Sequence, residues 1–453
     1  MPGEFLWLEN CTDSLKGTGN RAFRSQTQRK EYLDIEWEGQ TMKNTKTDVL
    51  VVGGGAGGMA AAVSAAKEGA HVILLEREDA VGGVLNQCIH NGFGLQFYQQ
   101  ELTGPEFSHK LEYELRERDV HVVCGSYVRH IDFSSNSAYV ISPSGGEKIT
   151  AGAIVIATGA RERPFGALLI PGDRPAGIFP AGLAQRYVNL ENHLPGNRAL
   201  ILGSGDIGLI MARRLTLEGM EVVAVVERMP YPGGLTRNVV QCLEDFGIPL
   251  LLSNTVTSVR GNGRLKSVEV SEVDEQFNPI SGKARSFEVD TLVLSAGLIP
   301  QVEDYVRDLD TDPVNRGLSV SNTCETSARG IFAAGNNVAV FDLVDYVAAE
   351  GWIAGRHAAF HALGNAGRSQ RIPVVRKGMV GVLVPNMVDP NEHLRIYLRL
   401  KAPMDKGKVI VRELEIEKDF VYGVPSEMLQ LVVNKDKLDK IRDLERLTVE
   451  VLS

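Results

Sequence analysis

Cysteine is scarce in this chain and badly spaced for metal or disulfide chemistry: Cys11, Cys88, Cys124, Cys242 and Cys324 are odd in number, far apart, and never form a C-x-x-C pair. A disulfide framework and a self-contained zinc or iron–sulfur site are thereby disfavoured, so no metal is expected, although a single reactive thiol stays open. Positive charge is short too. The formal net charge of −9 disfavours the clustered Lys and Arg surface that grips nucleic acid or an anionic membrane. The first residues lack the basic region, apolar stretch and small-residue cleavage site of a secretory signal, which makes the cytoplasm the expected location. One uncharged run, Val49 to Ala66, covers 18 residues. Five glycines at turn spacing within it argue against a spanning helix, and no integral membrane segment is expected.

What is present has the composition of a soluble globular protein, with 453 residues, 43% hydrophobic and 23% charged, enough for two or three domains. Its organising stretch is Thr47 to Ala62, TDVLVVGGGAGGMAAA. An apolar strand-like run, Val49 to Val52, leads into Gly53, Gly55 and Gly58 at G-x-G-x-x-G spacing, and a small-residue helix follows. Gly53 permits the tight turn, Gly55 leaves room for a pyrophosphate, and Gly58 lets helix and strand approach. The free N–H groups of the first helical turn then face phosphate charge. A second strand, His71 to Leu75, ends in Glu76, 23 residues after Gly53, where a carboxylate can accept the ribose hydroxyls of an adenosine. A Gly-rich packing turn is the bland alternative; the strand, helix and acid in order favour a dinucleotide.

The rest of the chain repeats this unit. Residues 1–43 read as a polar extension, of which 1–41 are expected to be a leader or a translated upstream region before Met42. The segment Gly82 to Gly94 is too rich in Gly and Asn for regular structure and is expected as a loop near the first glycine turn. A helix over Glu106 to Arg118, a strand over His121 to Cys124 and a β-meander from Tyr127 to Lys148 follow. Gly152 to Ala157 is another buried strand, stopped by Thr158-Gly159. Then Arg198 to Leu202, Gly203-Ser204-Gly205-Asp206-Ile207-Gly208 and a strand ending in Glu227 restate the opening, with Glu227 24 residues after Gly203. Thr291 to Gly297 restates the pattern of Val155 to Gly159, so the symmetry extends beyond one motif. Gly330 to Asn336 is a short strand and turn, Asp345 to Gly364 a long helix, and Arg371 to Ser453 an alternating, β-rich segment.

As an ordered set these segments resemble the two-dinucleotide flavoprotein reductases of the pyridine nucleotide-disulfide oxidoreductase superfamily. The resemblance covers residues 47–365 and implies an α/β fold with two Rossmann-like dinucleotide-binding domains of the three-layer ββα/βα type, one inserted in the other, plus a small C-terminal β-rich domain. The expected boundaries are 44–160 and 289–370 for an FAD-binding domain, 161–288 for an NAD(P)-binding domain and 371–453 for the last. FAD would lie on Gly53, Gly55, Ala56, Gly58, Glu76, Arg77, Gly83, Ala157, Thr158, Gly159, Gly335, Asn336 and Asp345, and NAD on Gly203, Gly205, Asp206, Ile207, Gly208 and Glu227. Gly335-Asn336 departs from the usual Gly-Asp of the late FAD motif, though an amide can still accept a hydrogen bond. The segments Gly82 to Gly94, Glu101 to Pro105, Asp342 to Asp345 and Val424 to Met428 are similar to bacterial NAD(P)/FAD-dependent oxidoreductases found beside FAD-dependent glycerol-3-phosphate dehydrogenases. That branch implies a larger FAD-dependent dehydrogenase as partner, a small-molecule redox substrate, and a last domain open to homo-oligomer contacts.

Glu227 should favour NADH over NADPH, because a carboxylate repels a 2′-phosphate, with Arg228 beside it as a softening cation. The superfamily's disulfide reductases need two cysteines near the flavin, and this loop offers only Cys88. Cys88 with His90 is the candidate catalytic pair, as charge-transfer thiolate and proton holder; a small apolar filler and a loop histidine are the bland reading. Asp345 either aids the flavin edge from the start of its helix or simply caps it. Three functions compete: an NADH-linked electron-transfer subunit of a glycerol 3-phosphate, amino-acid or hydroxy-acid dehydrogenase system, a stand-alone thiol, peroxide or quinone reductase using Cys88, and a non-catalytic flavoprotein scaffold.

Overall fold

The computed structural model describes residues 42–365, 367 and 370–452; the leader expected over residues 1–41 lies outside them. Strand β1 (Lys43–Val52) carries the fully buried run Val49 to Val51. It pairs in parallel with β2 (Val72–Leu75), Val49 opposite Val72 and Val52 opposite Leu75. Both faces of these strands are covered, which is why they read as continuous apolar runs and not as alternation. Each fully buried Val or Leu contributes roughly 1.5–3 kcal/mol of transfer energy.

Helix α1 (Ala56–Lys67) is buried along almost its whole length. Its small residues are required by a second helix, α6 (Val344–Ala362), that crosses it closely. A Cβ on Gly351 would come within 2.1 Å of Gly57 O, and one on Gly355 within 1.9 Å of Ala61 O. Helix α2 (Gly104–Glu117) starts earlier than expected, because Thr103 and Glu106 form a capping box with Pro105 in the first turn. Strand β3 (His121–Val123) continues the parallel sheet beyond β2.

Strands β4 (Tyr127–Asp132), β5 (Ser137–Ser142) and β6 (Gly145–Ile156) form the meander. The long β6 belongs to two neighbours: Gly145 to Thr150 run antiparallel to β5, while Ile154 to Ile156 run parallel to the late strand β15 (Ile331–Ala333). The first sheet therefore has the order β3-β2-β1-β6-β5-β4, with β15 also on β6.

The second unit begins with a strand and helix that periodicity missed, β7 (Ile178–Pro180) and α3 (Ala181–Asn189). They are followed by β8 (Arg198–Leu202), α4 (Asp206–Leu217), β9 (Glu221–Val226), α5 (Thr236–Cys242), β10 (Leu250–Leu251) and the meander β11 (Asn254–Asn262), β12 (Arg264–Val273) and β13 (Pro279–Glu288). Strand β14 (Thr291–Leu294) lies between β7 and β8, giving a parallel sheet β7-β14-β8-β9-β10. Strand β14, which follows the expected boundary at 288/289, pairs within the sheet of the second unit. The chain leaves this unit only after β14, through an antiparallel ribbon in which Leu298–Pro300 pairs with Ala160–Glu162.

The last domain holds two sheets around one apolar core. Five strands, β16 (Ile372–Gly378), β18 (Met387–Val388), β20 (Gly407–Val411), β21 (Ile416–Phe420) and β23 (Leu447–Leu452), run in the order β18-β16-β23-β20-β21. Three others, β17 (Val380–Val384), β19 (Leu394–Leu400) and β22 (Leu429–Val433), run in the order β17-β19-β22. Among the described residues no helix is long and apolar enough to cross a membrane.

Candidate dinucleotide sites and the loop between them

At the first glycine turn the backbone leaves β1 with Gly53 at φ +106°, its N–H donating to Leu75 O at 2.8 Å. A Cβ on Gly53 would sit 2.4 Å from Ala157 O, and one on Gly58 would sit 1.8 Å from Gly53 O. Packing therefore demands those two glycines. Gly55 differs: among the described residues nothing lies within 4 Å of the side-chain position it forgoes, which is the open space a diphosphate needs above the first turn of α1. Glu76 is buried, and its Oε2 accepts the Gly54 N–H at 2.7 Å while Oε1 accepts that of Glu78 at 2.9 Å. Arg77 next to it is exposed and lies 3.7 Å from Glu78.

The remaining parts of this site converge on the same turn. Ala157 N–H donates to Val52 O at 2.8 Å, and Thr158 Oγ1 to Gln301 O at 2.9 Å. Gly335 has φ +82°, and the Asn336 amide oxygen accepts Phe341 N–H at 3.0 Å, so the amide that replaces the expected carboxylate closes its own turn. Asn337, fully buried, donates to Ile156 O at 2.9 Å while its Oδ1 has no partner among the described residues. An open cradle at Gly55, a buried acid at the end of β2 and this orphan acceptor fit an FAD, which would supply the redox chemistry when bound.

The second turn copies the first. Gly203 has φ +103°; a Cβ there would sit 2.1 Å from Ser295 O, and one on Gly208 would sit 2.5 Å from Gly203 O. Among the described residues a Cβ on Gly205 would meet only Ser295 Oγ, at 3.4 Å. Glu227 Oε2 accepts from Ser204 N–H at 2.9 Å and Oε1 from Met229 N–H at 2.9 Å, atom for atom the pattern of Glu76. Arg228 lies over the Phe277 ring, 4.9 Å from its centroid. Asp206 Oδ1 accepts from Leu235 N–H at 2.8 Å and Asn238 Nδ2 at 2.6 Å. It anchors a neighbouring loop, while Ile207 behind it is half-buried.

Between the two turns runs the Gly82 to Phe97 loop, which both nucleotide units hold. Gln87 Nε2 reaches Gly182 O at 3.0 Å and Gln185 Oε1 at 3.1 Å, and Asn189 Nδ2 donates to Gln87 O at 2.8 Å, all on α3. Gly83 packs with its side-chain direction 3.3 Å from Gly55 Cα. Asp345, 3% exposed, accepts three loop N–H groups, from Gly94 at 3.1 Å, Gln96 at 2.9 Å and Phe97 at 2.8 Å. The N-cap of α6 is Leu343, without a side-chain cap bond, so capping by Asp345 is not what the structure shows. The residue ties the loop to the start of α6 instead. Its distance in sequence, about 250 positions, hid this role from pattern reading.

Cys88 and His90 contact different partners. Cys88 is half-buried with Sγ 3.7 Å from Gln185 Oε1, and burial pushes its thiol up to about 12. His90 Nδ1 lies 3.0 Å from Asn91 O and its ring 4.9 Å from that of Phe93. Burial lowers its pKa, partly offset by the Asn91 contact, so it favours the neutral form. A thiol held neutral is a poor nucleophile and a poor charge-transfer donor. Cys124 is half-buried, Cys242 and Cys324 are buried, and burial raises all three thiols. Among the described residues no cluster of His, Cys, Asp or Glu could hold a metal ion.

Residues 47–359 match the family described as pyridine nucleotide-disulphide oxidoreductase. Among curated proteins, the chain is 30% identical over 267 residues to sarcosine oxidase subunit alpha of Corynebacterium sp. strain U-96, covering 56% of this chain and 27% of that one. It is 29% identical over 302 residues to ferredoxin–NADP reductase of Acidiphilium cryptum, covering 64% of this chain and 84% of that one. The match thus spans only about a quarter of the sarcosine oxidase subunit. Among solved structures, thioredoxin reductase of T. acidophilum superposes with TM-score 0.59 at 21% identity, covering 71% of this chain and 99% of that one, a likeness of fold.

Proposed function

Since the chain belongs to the pyridine nucleotide-disulphide oxidoreductase family, and is accordingly an FAD-dependent NAD(P)H oxidoreductase, we propose that it works with NADH as the electron-transfer subunit of a larger dehydrogenase system. The observation that carries this reading is the pairing of two nucleotide turns, each with its acid already in place, with a loop whose one cysteine is neutral and hydrogen-bonded to Gln185. A thiol relay of the disulfide-reductase kind needs a second cysteine in this loop, and residues 82–97 contain only Cys88, which is a free thiol. Bound FAD would then supply electrons to an acceptor outside the chain. Sarcosine oxidase subunit alpha is by its name one part of a multi-subunit enzyme, which supports a partner. The segments noted above favour a flavin-dependent dehydrogenase of glycerol 3-phosphate or of an amino or hydroxy acid.

FAD on the first unit would exchange a hydride with nicotinamide. The protein's own share is to bind and orient. Gly55 and Gly205 leave the phosphates room, Glu76 and Glu227 accept ribose hydroxyls, and the loop held by Asp345 and α3 covers the region between the two nucleotides. The choice of NADH rests on Glu227, whose fixed carboxylate repels a 2′-phosphate, and on Arg228, which is engaged with Phe277. The ferredoxin–NADP reductase relative makes NADPH the competing nucleotide. An anaerobic titration of the flavoprotein with NADH and then NADPH, followed by candidate acceptors and a pull-down for a larger flavoprotein, tests the proposal. Flavin bleached by NADH and reoxidised only by a co-purifying dehydrogenase is the expected result. Rapid multiple turnover with a disulfide or peroxide and no partner would overturn it.

A further inference from the structure

A second repeat, inside the first, gives Gly83 of the FAD unit a counterpart in the second unit. Glu76-Arg77 is followed after four residues by Gly82-Gly83, and Glu227-Arg228 after four residues by Gly233-Gly234. The two copies also pack alike. Gly82 N–H donates to Gly54 O at 2.8 Å, and Gly233 N–H donates to Ser204 Oγ at 2.8 Å, Gly54 and Ser204 being the same position of the two glycine turns. Gly83 forgoes a side chain that would lie 3.3 Å from Gly55 Cα of its glycine turn; its counterpart Gly234 forgoes one that would lie 3.0 Å from Asp206 N, the residue after Gly205 in the second turn.

We infer that the Tyr231–Asn238 segment is a lid over the second nucleotide turn, with Gly233-Gly234 as the backbone face that closes on the diphosphate of an adenine dinucleotide. The assignment rests on the proposed NADH site and extends it to residues beyond the glycine turn. A Cβ on Gly234 would sit 2.8 Å from Asp206 Oδ1 and 3.0 Å from Asp206 N, directly against the first turn of α4 whose N–H groups face the phosphates. Asp206 holds this segment down: its Oδ1 accepts both the Leu235 N–H and the Asn238 amide. The residue after Thr236, Arg237, lies against Gly92 of the loop between the sites. The lid therefore reaches from the second diphosphate turn to the flavin side.

Two substitutions in the full-length, FAD-loaded protein test the assignment. Gly234→Ala lifts the lid by crowding Asp206 and Leu209, and Asn238→Ala releases it by removing one bond without adding bulk. NADH affinity is measured by calorimetry and FAD content by absorbance. The expected result is NADH affinity weakened roughly tenfold by Gly234→Ala and about threefold by Asn238→Ala, with wild-type FAD content in both. NADH affinity unchanged in both variants overturns the lid while leaving the NADH site intact. A wild-type protein that holds FAD and binds no NADH overturns the proposed function and the lid together.

Discussion

Glu227 holds Ser204 twice through one oxygen, accepting the backbone N–H at 2.9 Å and the hydroxyl at 2.8 Å. The carboxylate is therefore fixed at the end of β9 before any nucleotide arrives, and in the proposed function it faces the adenosine ribose of NADH. Wild-type protein is expected to have its flavin reduced faster by NADH than by NADPH. Glu227→Ala should weaken NADH by about tenfold or more, the loss of charge-assisted bonds worth roughly 1.5–3 kcal/mol each. NADPH should lose less, so the ratio of the two initial rates falls. A wild-type rate higher with NADPH would refute the assignment.

Cys88 should be chemically quiet. Only the thiolate reacts, and a group pushed up to about 12 by burial is almost wholly protonated near neutrality. Labelling by iodoacetamide should therefore be slow in the native protein and rise steeply in alkali, while Cys88→Ser should change NADH oxidation by an artificial acceptor less than about twofold. Fast labelling of Cys88 at neutral pH, or loss of a long-wavelength flavin band in the Ser variant, would restore the thiolate reading.

How much of this was legible beforehand depended on whether a feature is local. Gly53 to Gly58 and Gly203 to Gly208 could be read because backbone sterics over six residues demand glycine, and the acid at each strand end follows from the length of one strand–helix–strand unit. Strand β7 escaped notice because Ile178–Pro180 is three residues long and ends in proline, too short for any period to show. The strand Thr291–Leu294 was recognised as a repeat of Val155 to Gly159, yet its membership in the second sheet depends on pairing with β8, which nothing near it in sequence announces. Asp345 is the same lesson at the site: an acid opening a helix suggests capping, and only the fold brings three loop N–H groups to it from about 250 positions away. The Thr103-x-x-Glu106 box and the second Gly-Gly pair are local signals that periodicity alone does not use.

Asp345 is expected to be a positioning residue for that loop. Asp345→Ala strands three N–H groups that now share one buried carboxylate, a cost on the order of 3 kcal/mol, more than most surface changes. Asp345→Asn keeps one acceptor oxygen and should restore part of it. Limited proteolysis should then cut between Asn86 and Phe97 sooner in the Ala variant than in the Asn variant, and FAD should dissociate faster in the same order. Equal cutting and equal FAD release in both variants and the wild type would show that the loop is held by other contacts.

Glu350 gives the last prediction, and its sign follows from burial. The residue lies on α6 with Oε2 3.3 Å from Cys324 Sγ, facing Tyr397 and Arg395 of the last domain. Burial raises its pKa to about 7 against an ordinary 4.5, more than the Cys324 and Tyr397 hydrogen bonds and the Arg395 charge lower it. Between those two values the folded chain keeps the proton that the unfolded chain has lost, so the folded state binds more protons and stability falls as pH rises through that window. Above about 7 the penalty is complete and flat. Glu350→Gln removes the ionisation while leaving an amide oxygen to accept from Cys324. It should therefore stabilise the protein by up to on the order of 3 kcal/mol in mild alkali and change little in acid. Urea unfolding across the pH range reads this directly: a Gln variant that parallels the wild type at every pH would mean that Glu350 does not carry the dependence.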